Sequence, residues 1–183
     1  QPSVLTASFN RPNICYFVQP KKNVAGHILS YLAEHPGDSG IVYTLSRKAA
    51  ESLAAQLVEA GVSAGFYHAG MEQQVRAKAQ EDFIKDKTRV MVATIAFGMG
   101  IDKSNVRFVI HADLPKNIES YYQETGRAGR DGLQSEAILF YSAGDLQKLR
   151  GFVESEGNPE QSALMLEKLK KMAAFAESQQ CRR

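Results

Sequence analysis

The chain is poor in cysteine: Cys15 and Cys181 are its only two, and they stand far apart in 183 residues. Two distant thiols make no disulfide framework, so the expected setting is reducing and cytoplasmic, or the nucleoid in a bacterium. No apolar run approaches the ~20 residues that a membrane span requires, and no cationic leader with an apolar core opens the sequence. Internal repeats and low-complexity segments are also lacking. Charge of one sign is scarce: 22 Lys and Arg against 20 Asp and Glu leave a net +2. That excess does not by itself announce nucleic acid, though it allows a local basic patch.

Several chemistries are excluded by missing motifs. There is no Gly-x-x-x-x-Gly-Lys-Ser/Thr, hence no phosphate-cradling P-loop in this sequence. Gly98 and Gly100 begin a dinucleotide fingerprint, but Lys103 stands where its third glycine belongs. Neither Cys-x-x-Cys nor His-Glu-x-x-His occurs, and His27, His35, His68 and His111 lack metal-ligand spacing, so no metal site is expected. Gly61-Val62-Ser63-Ala64-Gly65 matches a nucleophile elbow in letters only. Such an elbow follows a strand and opens a helix, whereas here a helix precedes and a strand follows, the pattern of a plain turn.

What remains is an ordinary globular composition, 44% hydrophobic and 23% charged. A chain of this size buries ~70% of its unfolded surface and holds a core unaided. Gln1 to Pro12 reads as an extended arm. Beyond it, strand and helix patterns alternate. Apolar runs predict strands at Ile14–Val18, Gly40–Leu45, Ala64–His68, Arg89–Thr94, Val106–Asp113 and Glu136–Tyr141. Helical spacing covers Val24–Ala33, Arg47–Glu59, Glu72–Lys85, Asn117 to about Arg127, and Asp145–Glu156. A last helix starts at Asn158-Pro159, with Gln161 completing a capping box and Met165, Leu169, Met172 and Ala176 in one stripe. This alternation predicts an α/β fold with a mostly parallel sheet, whose working residues gather at the carboxyl ends of strands.

Three segments carry chemistry. In Gln123-Glu-Thr-Gly-Arg127-Ala-Gly-Arg130-Asp-Gly132, residues 123, 127 and 130 fall at i, i+4 and i+7, one face if the helix runs on. Gly126 and Gly129 clear space beside each arginine, and guanidinium forks suit phosphate oxygens. The alternative is a solvated basic turn paired with Glu124 and Asp131. Arg89 to Asp102 reads as a strand ending at Thr94, then a glycine-bearing loop closed by Asp102, which could accept from a ribose hydroxyl or hold an arginine. An ordinary tight connection would look the same. Tyr43-Thr-Leu-Ser46-Arg47 repeats the logic: Ser46 could cap a helix or touch a phosphate. His68, in Tyr67-His-Ala-Gly70, could reach a nucleotide or sit quietly inside.

In order, these segments resemble the second RecA-like motor domain of superfamily 2 helicases, and within it the RecQ family. Phe9-Asn-Arg-Pro-Asn13 is similar to the arm that opens this domain. Ile41–Arg47 resembles motif IV, Val90–Arg107 motif V and Ser120–Gly132 motif VI; Tyr67–Gly70 is typical of the RecQ branch. The resemblance implies a three-layer RecA-like domain at 13–157, after an arm at 1–12. A helix at 158–183 would lead toward a downstream zinc-binding domain, with Cys181 as the first of four ligands. It implies an ATP-dependent 3′–5′ DNA helicase that unwinds duplex in repair and recombination. ATP and Mg²⁺ would be shared with an amino-terminal motor domain carrying the P-loop, and single-stranded and forked DNA would be the other partners. Arg130 would be the arginine finger, Arg127 its support and Gln123 its coupling. Gly100 and Asp102 would touch the ribose side; Ser46, Arg47, His68 and Thr94 would line the single-stranded DNA. A non-catalytic nucleic-acid-binding α/β module is the alternative.

Overall fold

In the computed structural model, residues 11–98, 101–155 and 159–178 are described. Among these residues six strands and six helices follow in the order β1 (Ile14–Pro20), α1 (Val24–Glu34), β2 (Ser39–Tyr43), α2 (Arg47–Glu59), β3 (Ala64–Tyr67), α3 (Gln73–Ile84), β4 (Val90–Ala93), β5 (Val106–His111), α4 (Ile118–Thr125), β6 (Ser135–Tyr141), α5 (Ala143–Ser155) and α6 (Pro159–Glu177). The strands form one sheet in the order β1-β6-β5-β2-β4-β3, and every pairing is parallel. The parallel sheet follows from strands that are apolar on both faces; all five residues of β2 and all four of β4 are buried.

Helices cover both sides. On one, α1 and α2 set Ile28, Leu32, Leu53 and Leu57 against Val42, Val92, Phe108 and Ile110. On the other, Phe83 of α3, Phe97 and Ala128 pack on Ile41, Met91 and Val109. Farther along that side, Tyr121 of α4 meets Leu139, Leu149, Leu169 and Met172. Each fully buried aliphatic or aromatic side chain contributes about 1.5–3 kcal/mol. In the expected stripe of α6, Leu169, Met172 and Ala176 are buried and Met165 is half-buried. Asn158, the expected cap, lies outside the described residues.

Two features of this fold place everything that follows. Among the described residues, β4 and β5 are joined without a helix, so the segment after Ala93 travels back from the carboxyl edge of the sheet to its amino edge. Helix α4 makes the same return beside it: Gly129 N donates to the carbonyl of Val106, the first residue of β5, at 2.8 Å.

Candidate functional site

Helix α4 begins cleanly, with the Asn117 side chain accepting from Ser120 N at 2.7 Å. It closes at Thr125, two residues short of the expected end, and the Thr125 hydroxyl bonds back to the Tyr121 carbonyl at 2.9 Å. The chain then turns through Gly129, at φ 57, a left-handed conformation that costs glycine little. Gln123, Arg127 and Arg130 therefore do not continue one helical face. Gln123 is exposed on the last turn, while the two arginines stand on a compact turn at the amino ends of β5 and β6.

The two arginines differ in state. Arg127 is 9% exposed and its Nη1 donates to the Gly98 carbonyl at 2.6 Å. A side chain at Gly98 is impossible without movement, since its Cβ would lie 2.2 Å from Arg127 Nη2. Arg127 thus fastens the β4–β5 connection to the turn. Its Nε is buried with no partner among the described residues. The Arg130 side chain is 40% exposed; Nη1 donates to the Ile101 carbonyl at 3.2 Å and stands 3.8 Å from the carboxylate of Asp102, which is 98% exposed. The rest of its fork has no partner among the described residues. Gly100 lies outside them.

The connection is fixed from below as well. Tyr43 Oη donates to the Phe97 carbonyl at 2.9 Å, and burial pushes its phenol well above the ordinary range, against the pull of Arg127. Phe97 packs edgewise on Phe83 and beside Tyr67, with ring centroids 5.6 and 4.8 Å away. Neither acid expected to pair with the arginines does so. Glu124 Oε2 is bonded to His111 Nε2 at 2.6 Å in the interior, and Asp131 takes Arg107 at 2.5 Å. The hydrogen bond from Arg107 holds the Asp131 carboxyl below its usual range.

The other residues singled out in the sequence collect at the carboxyl edge. Ser46 caps α2, its Oγ accepting from Ala49 N at 3.2 Å. Exposed Arg47 lies across Gly70, so near that a Cβ there would be 2.7 Å from Nη1. This brings Arg47 to the Tyr67–Gly70 loop. His68 is turned inward instead: its Nε2 meets Glu51 Oε1 at 2.8 Å and its ring stacks on Phe66. Thr94 is half-buried, with its amide on the Tyr67 carbonyl at 3.1 Å. Thr44, Thr94, Asp113, Lys116 and Ser120 border a cleft of about 340 Å³, with Ile95 at 70% exposure on its rim. Ser63 is spent on a turn, donating to the Lys87 carbonyl at 2.9 Å.

Sequence reading missed the residues that brace the two edges. Lys21 Nζ bridges Asp113 at 2.7 Å and Asp145 at 2.5 Å, and Asp113 also accepts from Leu45 N. Burial works against the Lys21 charge, but the two carboxylates outweigh it and raise its pKa. At the opposite edge, Arg11 and Asn13 hold the arginine-bearing turn by its carbonyls. These contacts join residues 68 to 124 apart, and no local spacing encodes them.

A three-layer α/β domain with an all-parallel sheet, two guanidinium groups at one edge and a hydroxyl-lined cleft at the other is of the RecA-like class. Comparison with known proteins makes this particular. Residues 21–132 match the helicase conserved C-terminal domain and residues 143–183 match the RecQ zinc-binding domain. The chain is 50% identical over 96% of its length to the ATP-dependent DNA helicase RecQ of Haemophilus influenzae. It is 48% identical over its whole length to that of Pasteurella multocida, and 44% over 94% to that of Bacillus subtilis. The chain belongs to the RecQ family, as its second RecA-like motor domain. It spans 28–29% of the length of these three relatives.

Proposed function

We propose that this chain is the second motor domain of an ATP-dependent 3′–5′ DNA helicase. An amino-terminal motor domain would supply the P-loop and the Mg²⁺-binding acids, so this chain alone hydrolyses no ATP. The observation that carries the reading is the contrast between the arginines: Arg127 is buried on Gly98, whereas Arg130 presents an exposed fork held by one carbonyl. An arginine finger needs a placed guanidinium whose donors are still open, and Arg130 fits that requirement.

Bound ATP would supply a γ-phosphoryl group whose oxygens gain negative charge as it leaves. Arg130 stabilises that charge, and the fixed fork makes lysine a poor replacement. Arg127 acts behind it, holding the connection that carries Gly100 and Asp102 on the ribose side. Gln123, exposed beside the turn, couples it to the facing domain. At the other edge, Ser46, Arg47 and Thr94 grip the phosphate backbone of single-stranded DNA, with little sequence preference. His68 serves there by tying the Tyr67–Gly70 loop to α2 through Glu51. Unwinding of forked and tailed duplexes in repair and recombination follows from closing one edge on ATP while the other holds the strand. Zinc belongs to the region that Cys181 introduces.

The test is Arg130→Ala in the whole protein. DNA-stimulated ATP turnover falls by ~10³ or more, while ATP binding is nearly intact. Near-normal turnover would remove Arg130 from its role. Strand binding that is the same with or without ATP would favour a non-catalytic nucleic-acid module.

A further inference from the structure

Helix α4 ends with no basic residue in its last turn, although its final carbonyls concentrate negative potential. The missing charge comes from the far end of the sequence. Arg11 donates to the Gly126 carbonyl at 3.2 Å, the Ala128 carbonyl at 3.0 Å and the Gly129 carbonyl at 2.9 Å. Asn13 Nδ2 adds bonds to the Gly129 carbonyl at 2.8 Å and the Leu133 carbonyl at 2.9 Å. All five bonds converge on the turn that presents Arg127 and Arg130. Gly129 makes room for the grip: a Cβ there would lie 2.4 Å from Asn13 Nδ2. On its other side the turn is held by the first residue of β5, through Gly129 N and the Val106 carbonyl.

We infer that Arg11, with Asn13, is a positioning residue for the arginine finger: it touches no reacting group and fixes the backbone from which Arg130 projects. This rests on the reading of Arg130 given above. A finger acts only if its fork stands within a fraction of an ångström of its place; a displacement of ~1 Å at a catalytic group costs about 10²-fold.

The molecule contains its own control. Arg89 grips the end of α1 in the same fashion, donating to the carbonyls of Leu32 at 3.0 Å, His35 at 2.6 Å and Asp38 at 2.8 Å. It stands at the same edge of the sheet but on the opposite face, away from the two arginines. The experiment uses the full-length protein. Arg11→Lys, which keeps the charge and loses the fork, should lower the DNA-stimulated kcat for ATP about 10- to 100-fold, with KM for ATP unchanged. Arg89→Lys should leave kcat within about twofold. In the double variant, adding Arg11→Lys to Arg130→Ala should cost nothing more, because the clamp acts through the finger. If Arg11→Lys does not fold, Asn13→Ala removes two bonds of the clamp and should give the same pattern at about fivefold. The proposal is overturned by an unchanged kcat, by equal effects of the Arg11 and Arg89 variants, or by losses that multiply in the double variant. Normal turnover by Arg130→Ala alone would instead sink the finger reading and the clamp with it. A severe Arg130→Ala beside a silent Arg11→Lys would sink only the clamp.

Discussion

The two edges of the sheet are built on different plans. At the carboxyl edge, side chains follow strands directly: Ser46 three residues after β2, Thr94 immediately after β4, and the Tyr67–Gly70 loop at the end of β3. Their placement depends on short connections, and Thr94 borders the cleft. At the amino edge, the arginines reach position only because α4 and the β4–β5 connection both run back along the sheet, about 17 Å for the six residues of β5. They are then tied down by Arg11, Asn13, Gly98 and Val106. The difference teaches that the residues of one edge are set by the strands they follow, while those of the other depend on partners distant in sequence; on the proposed function the first would serve as the strand's track and the second would stabilise charge. The β4–β5 connection is the only covalent path, among the described residues, that carries expected site residues at both ends: Thr94 at one and Asp102 at the other.

Variants should divide along the same line. The largest effect belongs to the braced edge, with the ~10³ loss expected of Arg130→Ala. Next comes Gly98→Ala, which removes no functional group but drives a methyl into the Arg127 guanidinium. Steady-state kinetics of the whole protein should register a loss of about 10²-fold in turnover, with affinity for single-stranded DNA unchanged. A matching loss of DNA affinity would mean that the two edges are not separable.

Arg47→Ala tests the comparison from the other side and should be milder. Titrations of a labelled single strand at several salt concentrations should give weaker binding and a salt slope smaller by about 0.7, the share of one phosphate contact. KM for ATP should stay as it was. An unchanged slope would take Arg47 out of the track and leave it as a cover for Gly70.

Much of this architecture was legible in the sequence. The inner strands are readable because buried parallel strands are largely apolar runs, the half-exposed edge strands β1 and β3 show shorter ones, and α2 is bounded by the Ser46 cap and by Gly61. The end of α4 differs from the expectation: Glu-Thr-Gly-Arg-Ala keeps helical spacing, but Gly129 takes a left-handed conformation and Arg11 and Asn13 supply donors to the carbonyls of the turn. The amino-edge position of the arginines was not legible either. The expectation of working residues at carboxyl ends passes over the return leg of a crossover: the arginines follow α4, which has already run back to the amino edge before β6 begins. The Arg11 clamp depends on β1 lying beside β6, a pairing of residues such as Ile14 and Ser135 that only the assembled sheet defines. Tyr43, Thr94 and Asp113 could be found by proximity to strand ends; Arg11 could not.

Ser46 separates structural from functional duty at the smallest scale. Its hydroxyl oxygen is an acceptor for Ala49 N at 3.2 Å, which leaves the O–H free to donate to a phosphate. Removing the side chain with Ser46→Ala should cost about 1 kcal/mol of stability through the lost cap and weaken strand binding slightly. Those two effects are confounded in one variant. Ser46→Asp unpicks them, because aspartate caps as well as serine does and its charge suits a helix amino terminus. Chemical denaturation of Ser46→Asp should therefore give near-normal stability, while the added carboxylate repels the phosphate backbone and lowers strand affinity below that of Ser46→Ala. Should Ser46→Asp bind single-stranded DNA as tightly as the parent, Ser46 is a cap alone, and the track at the carboxyl edge begins with Arg47.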